Sequence, residues 1–276
     1  MIRPRWRPVR GRARVAAALG VALAAAPTGA QPRPGMPTPQ VAAATAPLRI
    51  LWIGNSYTYV NDLPRTLTAL ALAAGEDRVP AITAVLKGGQ FLRGHLARPD
   101  LPALIAQGWD YVVLQEQSLA PLQQPDSLLA QGTRLGALAK AAGARVLLYV
   151  TWPRRDTPQL ADSIAAVYGR LAAALEATPV PVGRAWGALR AESPASVLYL
   201  EDGSHPAPIG TYLAACVFYG VLYQKPATGL APVAFTVRGN RYLPDSLPMA
   251  VRPVTLPAAE VAAAHRAADR ALSRRP

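Results

Sequence analysis

The sequence predicts an α/β fold in which a parallel sheet carries helices on both faces. Short apolar runs alternate four or five times with longer segments of helical periodicity. The runs are apolar at nearly every residue, as expected of strands that are covered on both faces. The length left after an N-terminal leader suits one such domain, and no internal repeat interrupts the alternation.

The alternation begins at Leu48 with "LRILWIG", which predicts the first strand. "DLPRTLTALALAAG" predicts a helix that ends at Gly75, and "VPAITAVLKGG" predicts a strand that ends in glycines. "FLRGHLARPDLPALIAQG" is helical in period, with a proline at position 99 that can break it. "DYVVLQEQS" predicts a buried strand with a polar end.

The second half of the alternation continues with "LLAQGTRLGALAKAAG" as a helix and "ARVLLYVTWP" as a strand ending at Trp152. "QLADSIAAVYGRLAAALEAT" predicts a long helix, "PVPVGRAW" a short strand, and "PAPIGTYLAACVFYGVLY" a helix buried in the core. Residues 225–256 are rich in proline and indicate an excursion over the surface. A terminal helix is expected over residues 256–273.

The N-terminus has the organisation of a secretory signal peptide. A basic stretch, "MIRPRWRPVRGRAR", precedes "VAAALGVALAAA", which is too short to span a bilayer, and then the small residues of "PTGA". We expect cleavage after about Ala30, a flexible linker over residues 31–47, and one domain over residues 48–276. Export to the periplasm or beyond follows, with no membrane span after cleavage; an uncleaved anchor and a disordered leader are the alternatives.

Charge and cysteine content exclude some classes of protein. The net charge is +13, but six arginines and no acidic residue lie in residues 1–30, which leaves +7 for the remainder. No basic run is interleaved with aromatic residues, so a nucleic-acid surface is not indicated. The single cysteine, Cys216, allows no intramolecular disulfide and lies in an apolar helix, where we expect it to serve packing.

Polar residues follow the predicted strands, and parallel strands place their carboxyl ends on one edge of the sheet, where ligands bind. Ser56 follows the first strand, and His205 lies three residues after Asp202 in "LEDGSHPAPIG". A serine nucleophile needs a base, and a histidine base needs an acceptor on its other nitrogen. We therefore predict that Ser56, His205 and Asp202 form a catalytic triad.

Acyl transfer through a serine also needs hydrogen-bond donors for the oxyanion. The backbone N–H groups of Ser56 and Gly89 and a side-chain amide from Gln115 or Gln117 are the candidates. Gly88 is a less favoured alternative to Gly89. Alternation along an extended strand would place both glutamines on the same side, so it does not choose between them.

These residues resemble the blocks of the SGNH (GDSL-type) hydrolase superfamily. "GNSYT" resembles the nucleophile block, the glycines of "KGGQ" the second block, and "DGSHP" the Asp-x-x-His block; the resemblance covers residues 48–223. It implies a flavodoxin-like, three-layer α/β/α sandwich and a serine esterase that needs no cofactor. The same roles for Ser56, Gly89, Asp202 and His205 follow from it.

Two departures separate this chain from the usual pattern of the superfamily. Asn55 stands where an aspartate is usual, and "LQEQS" replaces the usual Gly-x-Asn-Asp block. A glutamine in this block is similar to the sialate and acetyl-xylan esterase branches, in which a glutamine serves the oxyanion hole. The resemblance therefore implies a small acyl group, such as acetyl, on a saccharide.

Several residues have more than one interpretation. Ser56 can also cap a helix, and Asp202 can also form an Asx turn. Tyr57 and Trp152 border either the substrate pocket or the core, and His95 is a weaker candidate for lining the cleft. Three other polar residues fit catalysis less well, namely Glu116, Glu201 and His265. Of these, Glu116 is expected to be structural. No cluster has the spacing of metal ligands.

The sequence thus predicts an exported serine esterase whose substrate is a small-molecule or saccharide ester. Two alternatives within enzymes are a lipolytic or aryl esterase and an acyltransferase that uses a sugar acceptor. A carbohydrate-binding protein that has lost turnover is a third alternative, motivated by Asn55 and the unusual third block. A structural protein of the cell envelope has only the proline-rich linker in its favour.

Overall fold

Five parallel strands form the centre of the fold and lie side by side in the order β2-β1-β3-β4-β5. The strands are β1 (Leu48–Gly54), β2 (Pro80–Leu86), β3 (Tyr111–Leu114), β4 (Arg145–Tyr149) and β5 (Thr178–Val180). This strand order is that of flavodoxin-like sheets. The predicted fold class is confirmed.

The computed structural model describes residues 45–237 and 251–273. The predicted signal peptide and residues 31–44 of the predicted linker lie outside the described residues. Residues 45–47 contact the domain, because the Arg78 side chain donates to the carbonyl oxygens of Ala46 and Pro47 at 3.1 Å each. Across the described ranges, none of the helices combines the length and the apolar character that crossing a bilayer would require.

Helices cover both faces of the sheet and give the fold three layers. Ile50 and Trp52 of β1 belong to one apolar core, whereas Leu51 and Ile53 belong to the other. The first core includes α2 (Leu63–Ala73), α8 (Val182–Glu192), α9 (Pro208–Tyr223) and α10 (Ala258–Ser273). The second includes α3 (Leu92–Leu96), α4 (Leu101–Ile105), α6 (Pro125–Ala141) and α7 (Ala161–Leu175). Two single-turn helices, α1 (Ser56–Tyr59) and α5 (Ala120–Gln123), follow β1 and β3.

The segment "PVPVGRAW" differs from its prediction as one short strand. Only residues 178–180 pair with β4, and helix α8 begins at Val182, directly after Pro181. Ala185 and Leu189 are buried on the same face of α8, at helical spacing. Valine and proline alternate at the start of the segment, which is typical of a strand. The helical period of the apolar residues can be recognised only when residues 187–192 are included.

The proline-rich region after α9 contains a two-stranded antiparallel ribbon. Strand β6 (Ala234–Val237) pairs with β7 (Val251–Val254), and residues 238–250 between them lie outside the described residues. The terminal helix predicted over residues 256–273 is present as α10. It packs against α8 and α9 and so closes the first core.

The sheet brings three strand ends together at one edge. Gly54, the last residue of β1, lies beside Leu86 of β2, and Ile53 lies beside Leu114 of β3. The segments that follow these residues therefore leave the sheet next to one another. This edge lies where the strand order turns from β2 through β1 to β3, which is the usual ligand-binding position in an open α/β sheet.

Candidate active site

Ser56 lies at the start of a tight strand-to-helix turn. Asn55 is the N-cap of α1, and its Oδ1 accepts the backbone N–H of Tyr57 at 3.2 Å. Its Nδ2 donates to the carbonyl oxygens of Gln90 at 3.1 Å and Glu116 at 3.2 Å. The cap thus ties the turn after β1 to the segments that follow β2 and β3, and it fixes Ser56 between them.

The structure brings Ser56, His205 and Asp202 together in the order that a serine triad requires. The Ser56 hydroxyl lies 2.8 Å from His205 Nε2, although 149 residues separate the two in sequence. On the other side of the ring, Nδ1 makes a short hydrogen bond to Asp202 Oδ2. With Nδ1 donating to the carboxylate, Nε2 is left as the acceptor of the serine proton.

Asp202 serves the loop and the histidine at once. Its Oδ1 accepts the backbone N–H groups of Ser204 at 2.9 Å and His205 at 3.0 Å, which makes the Asx turn, while Oδ2 contacts the imidazole. Burial favours a higher pKa for Asp202, but the hydrogen bonds from His205 and the two backbone N–H groups outweigh it and lower the pKa. The carboxylate is therefore charged at neutral pH.

The loop that carries His205 is anchored to the core on both sides of the histidine. Trp152 Nε1 donates to the carbonyl oxygen of Ser204 at 3.1 Å, and the Tyr57 hydroxyl lies 2.8 Å from Ser204 Oγ. Asn61 donates to the carbonyl oxygen of Pro206 at 2.8 Å. These contacts hold the imidazole against the start of α1, because Tyr57 belongs to that helix and Asn61 lies just after it.

Two glycines after β2, Gly88 and Gly89, line the same cavity as Ser56. Gly89 has φ +66°, a left-handed conformation that favours glycine, within the turn closed by the bond from the Gln90 N–H to the Lys87 carbonyl oxygen. A Cβ atom on Gly88 would lie 2.8 Å from the Tyr59 hydroxyl. Within the described part of the chain, the N–H groups of Ser56 and Gly89 donate to no protein acceptor.

The two glutamines of the third block have different positions. Gln115 is fully buried: its Oε1 accepts the Asn55 N–H at 3.0 Å, and its Nε2 donates to Asn55 Oδ1 at 2.6 Å. Gln117 lines the cavity beside Ser56. The expectation that alternation puts both on one side fails because β3 ends at Leu114 and the glutamines follow in a loop. The structure therefore does not place the Gln115 amide at the oxyanion position.

Glu116, between the glutamines, is a buried structural carboxyl group. Its Oε1 accepts the backbone N–H groups of Leu92 at 3.0 Å and Gln117 at 2.7 Å. Burial raises its pKa, and these two hydrogen bonds counteract part of the rise. It holds the first residue of α3 against the third block and does not line the cavity.

His95 and Trp152 do not border the cavity that contains Ser56. His95 is buried behind the turn, and its Nε2 lies 2.8 Å from the carbonyl oxygen of Gly54. Trp152 is also buried, stacked between Tyr57 at 4.6 Å and Trp186 at 3.8 Å between ring centroids. Of the two aromatic residues predicted to border the substrate pocket, Tyr57 lines the cavity, and Trp152 packs behind Tyr57 in the core.

The cavity over Ser56 has a volume of about 260 Å³. Its lining comes from the segments that follow β1, β2, β3 and β4 and from the loop before α9. The lining residues are Asn55, Ser56, Tyr57, Tyr59, Gly88, Gly89, Gln117, Ser118, Arg154, Ser204 and His205. The sequence did not single out Arg154, which lies in the loop after β4 and further from its strand end than Ser56 is from the end of β1. The described residues contain no group of histidine, cysteine and carboxylate side chains that could hold a metal ion.

The fold and this constellation of side chains are those of a serine hydrolase. A protein from Slackia heliotrinireducens that is assigned to the SGNH hydrolases is 33% identical to this chain, with a TM-score of 0.54. The match covers 64% of this chain and 99% of that protein. The chain therefore belongs to the SGNH hydrolase superfamily, as the sequence blocks predicted.

Two further solved structures share the fold at lower identity. A DUF4886 family protein from Bacteroides uniformis is 21% identical, with a TM-score of 0.57, over 82% of this chain and 95% of its own. An acetyl xylan esterase is 13% identical, with a TM-score of 0.53, over 63% of this chain and 99% of its own. No family model and no curated protein matches the sequence.

The buried imidazole of His95 predicts a pH-dependent stability. Burial lowers its pKa from 6.5 to about 4. Its Nε2 donates to the Gly54 carbonyl oxygen, and Nδ1 is buried with no partner among the described residues, so a second proton has no acceptor. The unfolded chain takes up this proton below about pH 6.5, whereas the folded chain does so only near pH 4. The stability that the folded state gains by keeping His95 neutral is therefore complete above pH 6.5, and it is lost as the pH falls towards 4.

We expect the His95→Gln variant, which keeps a donor for Gly54, to lose less stability than the wild type between pH 7.5 and pH 5. The difference should be about 2 kcal/mol, from the proton uptake of the unfolded chain at pH 5. Urea unfolding of both proteins at the two pH values measures it. Equal losses would show that His95 titrates normally in the folded state.

Proposed function

We propose that this protein is an exported serine esterase that removes a small acyl group, such as acetyl, from a saccharide. The observation that carries the proposal is the contact of 2.8 Å between the Ser56 hydroxyl and His205 Nε2, with Nδ1 held by Asp202. A serine hydroxyl becomes a useful nucleophile only when a base is positioned to take its proton. Here the base and its orienting carboxylate are both in place.

In the first half of the reaction, Ser56 Oγ attacks the ester carbonyl carbon while His205 Nε2 takes the hydroxyl proton. The tetrahedral intermediate then expels the alcohol oxygen, which receives that proton from Nε2. Asp202 accepts the Nδ1–H throughout and stabilises the imidazolium. The products of this half are the free alcohol and an acyl group on Ser56.

The negative charge on the former carbonyl oxygen needs donors that are already oriented. The N–H groups of Ser56 and Gly89 are free to serve, and the Gln117 side chain is the amide that lines the cavity. Its Nε2 makes one long contact of 3.4 Å, to Ser118 Oγ, which an oxyanion can replace. We assign these three groups to the oxyanion hole.

In the second half, a water molecule attacks the acyl group on Ser56, and His205 Nε2 takes a proton from it. The intermediate collapses, Ser56 Oγ leaves and regains the proton, and a carboxylic acid is released. The atoms of the two half-reactions balance with the ester and one water molecule as the only reactants, so the scheme needs no cofactor.

The size and lining of the cavity support a small acyl group and a polar alcohol. A volume of about 260 Å³ is slightly below the range of about 300–1,000 Å³ that is usual for ligand sites. Asn55, Gln117, Ser118 and Ser204 contribute polar groups to its wall. The fold shared with an acetyl xylan esterase is compatible with this choice. A cavity of this volume leaves little room for a long acyl chain.

Export is proposed from residues 1–30 alone, which lie outside the described residues. Expression of the full chain in a bacterial host, followed by fractionation and intact-mass measurement, tests it. A product outside the cytoplasm that lacks about the first 30 residues is expected. A full-length chain in the cytoplasm would contradict the proposal.

The esterase proposal is tested by the hydrolysis of p-nitrophenyl acetate by the mature protein and its Ser56→Ala variant. We expect kcat to fall by about 10⁴- to 10⁶-fold, to the background rate, because the nucleophile is lost. Ser163→Ala, an exposed serine on α7, is the matched control and should retain full activity. Activity in Ser56→Ala equal to that of the wild type would contradict the proposal.

A series of p-nitrophenyl esters from acetyl to octanoyl, each with and without a sugar acceptor, refines the same experiment. We expect kcat/KM to be highest for acetyl. A maximum at octanoyl would favour a lipolytic enzyme, and transfer of the acyl group to the sugar would favour a transferase.

A further inference from the structure

One cationic side chain that forms no ion pair with the described residues lines the proposed active site. Arg154 is partly buried and belongs to the wall of the cavity that contains Ser56 and His205. The residues that line this cavity include no aspartate and no glutamate. The nearest catalytic carboxylate, Asp202, is engaged with His205 and with two backbone N–H groups. The wall of the cavity therefore contains a cationic side chain and no carboxylate of its own.

The Arg154 guanidinium group is not used to hold the fold together. Its Nε is buried and has no hydrogen-bond partner in the described structure. The side chain forms no ion pair with the carboxylates of the described residues. Its neighbour Arg155 differs, because that guanidinium group donates to the Leu200 carbonyl oxygen and lies over the Tyr199 ring.

The charge of Arg154 acts on a residue that touches the reaction site. Burial raises the pKa of Tyr57, and the hydrogen bonds from Ser204 and Ser118 and the nearby Arg154 counteract part of the rise. Arg154 and Tyr57 line the same cavity, and the Tyr57 phenol packs edge-on against His205, at 5.6 Å between ring centroids. An anion on this side of the cavity would lie next to the scissile ester.

A partly buried cation with an unsatisfied donor is unfavourable by itself, because the lost hydration is not replaced. The buried Nε is not accessible from the cavity, but an anion bound there would compensate the positive charge of the guanidinium group as a whole. Guanidinium has a planar arrangement of donors that matches the two oxygens of a carboxylate. The presence of such a side chain among lining residues that include no carboxylate points to a ligand that supplies one.

We propose that Arg154 binds a carboxylate on the alcohol part of the substrate, so that the preferred substrates are acidic. For a saccharide, this class is an O-acylated sugar acid. The inference rests on the proposed esterase function and specifies its substrate. Arg154 is a specificity-determining residue in this account, since the bonds that form and break are those already described for Ser56 and His205.

Matched pairs of acetyl esters test the proposal. One pair is 4-acetoxybenzoate and 4-acetoxybenzamide, and the other is an O-acetylated glucuronic acid and the corresponding glucuronamide. We expect the wild type to have a kcat/KM at least about 10-fold higher for the acid in each pair, mainly through KM. In Arg154→Met, this acid-to-amide ratio should fall to about 1, and Arg154→Lys should restore part of it.

Arg134→Met is the matched control, because Arg134 is an exposed arginine on α6 that makes only a contact of 3.5 Å to Gln131. This variant changes the net charge equally and should keep the wild-type ratio. A wild type that hydrolyses both members of each pair equally would overturn the inference but leave the esterase function intact. An equal loss on acid and amide in Arg154→Met would also overturn it.

Binding measurements keep the inference testable if no ester is hydrolysed. Calorimetry with the Ser56→Ala variant and the O-acetylated glucuronic acid should show an affinity at least about 10-fold higher than for the glucuronamide. The Ser56→Ala/Arg154→Met double variant should lose that difference. Equal affinities in Ser56→Ala would reject Arg154 as a carboxylate site whatever the fate of the proposed function.

Discussion

The hydrogen bond between Ser56 and His205 is the constraint on which the site depends, and only the tertiary fold can form it. The two residues are 149 positions apart, and their side chains meet at 2.8 Å. One side of the contact is set by the central strand β1 and the turn that follows it. The other side is set by the loop before α9, which Trp152 and Tyr57 hold through Ser204. The buried stack of Tyr57, Trp152 and Trp186 thus supports the histidine indirectly.

The two unusual residues Asn55, in the nucleophile block, and Gln115, in the third block, form hydrogen bonds to each other. Asn55 and Gln115 exchange two hydrogen bonds, and Asn55 Nδ2 donates to two further carbonyl oxygens. An aspartate at position 55 would present acceptors to those carbonyl oxygens, which is unfavourable in a buried site. The amide is therefore the side chain that this arrangement requires. Asn55 no longer argues for a protein that has lost turnover, because its side-chain hydrogen bonds hold the turn that carries Ser56.

Most of the fold could be predicted because the apolar runs and the helical periods are long. Helix α8 was missed because two prolines at its start produce a short alternating pattern. The strand-end rule selects Ser56 and Gly89, but it gives no direction to side chains in the loops beyond the strands. For this reason the sequence could not distinguish Gln115 from Gln117, could not place His95 behind the Gly54 carbonyl oxygen, and did not single out Arg154. Those positions depend on where β3 and β4 end and on the short helix α3.

The central claim is that Ser56, and no other serine of the cavity, is the activated nucleophile. Ser118 and Ser204 line the same cavity and provide an internal comparison. The most direct measurement is labelling of the mature protein with a fluorophosphonate, followed by mass spectrometry of its peptides. The account predicts one adduct per chain, located on Ser56 and absent from the His205→Gln variant, since the hydroxyl needs its base. An adduct on Ser118 or Ser204, or no adduct on the wild type, would contradict it.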